Sequence, residues 1–175
     1  MRRTPELQSS YMLRVRNACL ILVCAATSAL AAPPPAPAVA LQYDRLASAL
    51  TLLSDADHKV VDQAVELIRE GQHAGALARL STLTHSNPDN SSLRILMAYA
   101  QLQLGNLTGA FDEAKRAHDA PNGNSYRCYF LAKIAFLTGD NVTCRRELNH
   151  AKNAGDMPEE VRQLQSDLKK AKAKS

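Results

Sequence analysis

The chain has 175 residues, of which 22% are charged and 5% aromatic, with no Trp, a balance that suits an Ala/Leu-rich helical protein better than a β-sandwich. Its length favours one domain with a real core. The formal charge of +4 leans on Arg2, Arg3, Arg14 and Arg16; removing these four arginines and Glu6 leaves the remainder nearly neutral, which takes away the electrostatic case for nucleic-acid binding.

From Ala18 to Ala32 runs an apolar stretch, ACLILVCAATSALAA, preceded by Arg14 and Arg16 and closed by the small residues Ala29 and Ala31. This is the pattern of a positive n-region, an apolar h-region and an A-x-A cleavage site. A membrane span needs about 20 apolar residues, and this stretch is shorter. Residues 1–31 are therefore expected to be a cleaved signal peptide and the chain to be exported, periplasmic or secreted, anchored at its N-terminus only if the signal is retained. A start at Met12 gives a compact leader without Glu6. Val23 stands before Cys24 where a lipobox wants Gly, Ala or Ser, so Cys24 reads as an h-region residue.

Residues 32–40 hold Pro33, Pro34, Pro35 and Pro37, and read as an extended, polyproline-like linker. In residues 41–54, Leu41, Leu46, Ala49, Leu50 and Leu53 recur at helical spacing and predict one amphipathic helix. It would cover the first repeat or pair with a second copy.

The repetition that follows has a period of 34, carried by Gly71, Gly105 and Gly139. Five residues after each glycine comes Ala76, Ala110 or Cys144, then Leu80, Ala114 or Leu148, then Leu83, Ala117 or Ala151. Upstream, Ala64, Ala98 and Ala132 hold the matching small position, and Val60, Arg94 and Cys128 lie four residues before them. Only Arg94 breaks the apolar rule. Each unit reads as a helical hairpin, helix A, a glycine turn and helix B, over residues 57–90, 91–124 and 125–158. Pro88 and Pro121 end helix B, and Asn90, Asn122 and Asn124 supply turn chemistry. Beyond Pro158, Val161, Leu164 and Leu168 form the stripe of a polar capping helix in 159–175, with a basic tail.

The stretch Gly71-x-His73-x-x-Ala76-x-x-x-Leu80-x-x-Leu83, ending at Pro88, resembles the tetratricopeptide repeat family over roughly residues 57–158. It departs at His73, Leu107 and Asn141, where the family favours Tyr, and at Pro121, one place early. The resemblance implies an all-α solenoid of three hairpins whose helix A residues line a concave groove. The second, fifth, ninth, twelfth and thirteenth positions of each repeat are His58, Val61, Val65, Ile68 and Arg69; Ser92, Ile95, Tyr99, Leu102 and Gln103; and Tyr126, Tyr129, Lys133, Phe136 and Leu137. Scarce aromatics gathered on one face suit a binding surface. The expected partner-binding residues are Arg69, Ile95, Tyr99, Leu102, Tyr126, Tyr129, Lys133 and Phe136, unless a terminal helix fills the groove. Family members that bind acidic C-termini use a Lys/Asn clamp where this chain has Val61, Val65 and Ile95. The implied ligand is an apolar or amphipathic segment, with Arg69, Arg127 and Lys133 at its edge.

Cys128 near the start of one helix and Cys144 near the start of the next are offset along an antiparallel pair, so no disulfide is expected and both are read as packing residues. His58, His73, His85, His118 and His150 lack the i, i+4 pairing of zinc sites and are expected to be solvated surface residues, with no metal or cofactor. No nucleophile elbow, phosphate loop or dinucleotide fingerprint appears. The sequons at Asn90, Asn106 and Asn141 fall at helix starts, where capping explains them. The expected function is an exported, non-catalytic adaptor holding a partner protein within a cell-envelope assembly. Its alternatives are a self-associating structural protein, an accessory subunit of an envelope enzyme or secretion complex, and a thiol-redox protein using Cys128 or Cys144.

Overall fold

The computed structural model describes residue 39 and residues 41–121, 124–155 and 157–173, all within the unit from Pro33 to Ser175. The expected signal peptide, and the linker apart from Val39, lie outside the described residues. These contain no strand. A 3-10 turn (Tyr43–Arg45) leads into α1 (Ala47–Leu50), α2 (Asp55–Arg69), α3 (His73–Ser86), α4 (Ser91–Gln103), α5 (Leu107–Asp119), α6 (Ser125–Leu137), α7 (Asn141–Ala154) and α8 (Pro158–Lys172). Three hairpins, α2 with α3, α4 with α5 and α6 with α7, stack in chain order, and α8 follows α7. No described helix is long and apolar enough to cross a membrane.

The three turns are chemically the same. Gly71, Gly105 and Gly139 have φ of 76°, 78° and 80°, a left-handed conformation that glycine adopts without the Cβ penalty. Each lets the next residue reach back across the helix end. Gln72 N–H donates to Leu67 C=O at 2.8 Å, Asn106 N–H to Gln101 C=O at 2.9 Å, and Asp140 N–H to Ala135 C=O at 2.9 Å. The period of 34 in the sequence is thus a period of helix-ending hydrogen bonds.

The small-residue ladder lies in the helix crossings. Ala64, Ala76, Ala98, Ala110, Ala132 and Cys144 are fully buried, with Leu80, Leu93, Leu96, Phe130, Ile134 and Leu148 interlocked around them. Burying each large side chain contributes roughly 1.5–3 kcal/mol. Arg94, the exception in the ladder, donates from Nη1 to Glu113 Oε2 of α5 at 2.9 Å, and Arg116 holds the other oxygen at 2.8 Å. A buried carboxylate and its two guanidinium partners satisfy what would otherwise be unpaired charge.

Two expectations are corrected. Residues 41–54 do not form one helix. Side chains at the starts of α4 and α6 hold this stretch of backbone instead: Gln42 N–H donates to Tyr126 Oη at 3.1 Å, Arg45 C=O accepts from Asn124 Nδ2, and Leu46 C=O accepts from Ser92 Oγ at 2.8 Å. A short isolated helix is marginal, and these tertiary bonds, with Val39, Leu46 and Leu53 buried, decide the conformation. Asn141 does not cap its helix; Asp140 does, its carboxylate accepting from Thr143 N–H at 3.0 Å. Asn90, Asn106 and Asn124 cap α4, α5 and α6.

Candidate functional site

The first helices of the hairpins, α2, α4 and α6, present the eight expected groove residues in three environments. Ile95, Leu102 and Tyr126 are wholly buried. Tyr99, Tyr129, Lys133 and Phe136 are half-buried, and Arg69 is exposed. Tyr99 meets His73 edge-on, ring centroids 6.2 Å apart, and Tyr129 stacks on Tyr126 at 6.3 Å. The Arg69 guanidinium, paired with Glu66 at 3.4 Å, lies 5.2 Å over the Tyr43 ring, within cation–π range.

The chain's own residues 41–46 cross this face. Tyr43 contacts Arg69 of α2, the Leu46 carbonyl accepts from Ser92 of α4, the Gln42 amide donates to Tyr126 of α6, and Gln42 Nε2 donates to Glu160 of α8 at 3.0 Å. Burial pushes the Tyr126 phenol up to about 12. Burial first, then the carboxylates Glu160 and Asp167, raise Tyr129. Both stay neutral hydroxyls over the physiological range. Tyr43, Ser92 and Asn124 thus contribute to the face; Ser92 was placed on it by register, whereas for Tyr43 the signal was an aromatic inside the segment before the repeats.

A second cluster sits among α5, α6 and α7, and it corrects the expectation of dispersed, solvated histidines. The Glu147 side chain is fully buried; its Oε2 lies 2.9 Å from His118 Nε2 and 3.2 Å from His150 Nδ1, while its Oε1 accepts from Arg146 Nε at 2.7 Å. The two imidazoles stack at 6.3 Å, 16° from parallel. His118 Nδ1 faces Asp119 Oδ1 at 3.1 Å. Cys128 completes the group: one ligating atom from each of His118, Cys128, Glu147 and His150 lies within 4.8 Å of the others. Burial, then the Glu147 charge, raise the Cys128 thiol. Burial raises Cys144 to about 11, and both cysteines are free. No helix carries the set by itself, so spacing within one helix could not reveal it. The signal was the period, because His118 and His150 are nearly one repeat apart and side-by-side helices bring such positions together.

Residues 67–116 match the tetratricopeptide repeat family model. No curated protein matches the chain in sequence. Among solved structures, the Yersinia enterocolitica type III secretion translocator chaperone SycD is similar, with TM-score 0.61 and 14% identity over 72% of this chain and 91% of that one. The same chaperone in complex with a peptide of the translocator YopD gives 0.57 and 13%, over 68% and 91%. A CopN–Scc3 complex gives 0.56 and 13%, over 81% and 82%. At such identity the likeness is one of fold. The all-helical architecture and the three identical glycine turns agree with this match to the tetratricopeptide repeat family model over 67–116, and the helices before and after that segment continue the same hairpin pattern.

Proposed function

We propose that this chain is an exported scaffold that holds an extended or amphipathic segment of a partner protein against the face of α2, α4 and α6, as an adaptor within a cell-envelope assembly. One observation carries the reading: that face binds peptide backbone. Tyr126, Asn124 and Ser92 satisfy the Gln42 amide and the Arg45 and Leu46 carbonyls, while Leu46 fills the apolar floor. Main-chain bonds of this kind give affinity for extended chain, and pockets between them select side chains. A partner would take the place of residues 41–46, with Tyr99, Tyr129 and Phe136 as its aromatic contacts. The similarity to a secretion chaperone solved with a translocator peptide supports a protein ligand. No catalytic step belongs to this role.

The test is a photo-crosslinking residue in place of Tyr129 in the full chain, expressed with its leader, and identification of what it captures. A distinct partner whose capture is lost with Phe136→Ala supports the adaptor. Crosslinks only to the same chain, with a dimer in light scattering, would replace it with self-association.

A further inference from the structure

The second and third hairpins solve the same electrostatic problem with different residues. Glu113 and Glu147 occupy equivalent positions one period apart, and both carboxylates are buried. In the second hairpin two permanent cations hold the carboxylate, Arg94 at 2.9 Å and Arg116 at 2.8 Å. One period later those two positions are Cys128 and His150. Both guanidinium positions have become metal-ligand types, and His118 from the neighbouring hairpin points its Nε2 at the same Glu147 oxygen.

We propose that His118 Nε2, Cys128 Sγ, Glu147 Oε2 and His150 Nδ1 form a closed four-ligand site for a divalent transition-metal cation of the zinc class, tying the second hairpin to the third. The donor set is two imidazoles, a thiolate and a carboxylate, which suits borderline Zn2+ and disfavours Mg2+ or Ca2+, since those want oxygen. The four atoms lie within 4.8 Å of one another. The supporting contacts are in place. Asp119 faces His118 Nδ1 and fixes which ring nitrogen turns inward, and Arg146 occupies Glu147 Oε1, leaving Oε2 for the ion. On binding, the cation takes the place of the protons between Glu147 Oε2 and both His118 Nε2 and His150 Nδ1; these and the Cys128 thiol proton pass to solvent, and the His150 ring carries its remaining proton on the outer Nε2. Four protein ligands leave no open position, so the site is structural. It does not depend on what the α2, α4 and α6 face binds.

The test uses the full chain stripped with a chelator, then titrated with Co2+ and separately with Zn2+. One Co2+ per chain should bind with a thiolate-to-metal charge-transfer band and intense visible bands of four-coordinate geometry. Zn2+ should protect Cys128 from alkylation in a mass-spectrometric readout by peptide, which separates it from Cys19, Cys24 and Cys144. Cys128→Ser should abolish the charge-transfer band. His150→Gln alters an exposed side chain, so its fold is not at risk, and it should weaken binding roughly tenfold or more. Binding without a thiolate band, Cys128 alkylation unaffected by Zn2+, or equal affinity in His150→Gln would each overturn the site and leave an ion-paired cluster around Glu147.

Discussion

The second and third hairpins share a period, a glycine turn and a crossing lined by small residues, yet differ at positions that neither the turn nor the crossing fixes. Where the second has Ser92, Arg94 and Arg116, the third has Tyr126, Cys128 and His150. Residues that set the hairpin's own geometry recur because the crossing distance and the turn demand them. The other positions are free to change: Ser92 and Tyr126 bond different backbone groups of one crossing segment, and Arg94 and Cys128 meet equivalent buried glutamates with different chemistry.

The largest test of this contrast is Tyr126→Ala against Ser92→Ala. Tyr126 is a fully buried aromatic, and its truncation should cost about 4 kcal/mol in denaturant unfolding. Ser92→Ala removes one buried hydrogen bond and should cost about 1 kcal/mol. Equal losses would mean that the crossing segment, rather than the aromatic's packing, sets the stability of this face.

Arg94→Ala should come next. It removes one of two cations from a buried carboxylate and should destabilise by about 3 kcal/mol, whereas Cys128→Ala, without added metal, should stay within about 1 kcal/mol. Cys128→Arg sharpens the comparison, since it rebuilds the second hairpin's pairing in the third. Its thermal midpoint should no longer respond to Zn2+.

Gly105→Ala should cost roughly 1–2 kcal/mol, for backbone conformation alone, because an added Cβ there meets no atom within 4 Å. Gly139→Ala, in the equivalent turn, should match it. A larger loss in one of them would show that the two turns differ in some way beyond the backbone.

The smallest effect separates Asp140 from Asn141. Asp140→Ala should cost about 1 kcal/mol as a lost cap, and Asn141→Ala much less. The Asp140 carboxyl is held below the usual carboxylate range, chiefly by its hydrogen bond with the Thr143 side chain and then by the Thr143 backbone N–H. A depressed folded-state pKa means that this contribution is present above the ordinary carboxylate range and is lost as pH falls through that range and below. Acid titration of stability should therefore be shallower in Asp140→Asn than in the parent.

The hairpins were legible because their signals are local. A glycine needed at positive φ and a small residue at each crossing announce themselves within one period, and three copies in phase exclude accident. Arg94 was visible as the break in the ladder, although its partner Glu113 was not. The groove positions could be placed by register, but register says nothing about depth, and only packing put Ile95, Leu102 and Tyr126 at the floor while leaving Tyr129 and Phe136 half-open.

Periodicity by itself determined the all-helical class, the three hairpins, their turns and the ends of their helices, since these follow from backbone sterics and hydrogen bonding within a few residues. The tertiary structure alone decided that residues 41–46 run across three hairpins as a turn, and that His118, Cys128, Glu147 and His150 meet. Both outcomes depend on side chains from different helices competing for the same backbone groups or the same buried charge. Such competition is settled by distance in space, which the order of residues along a chain does not record.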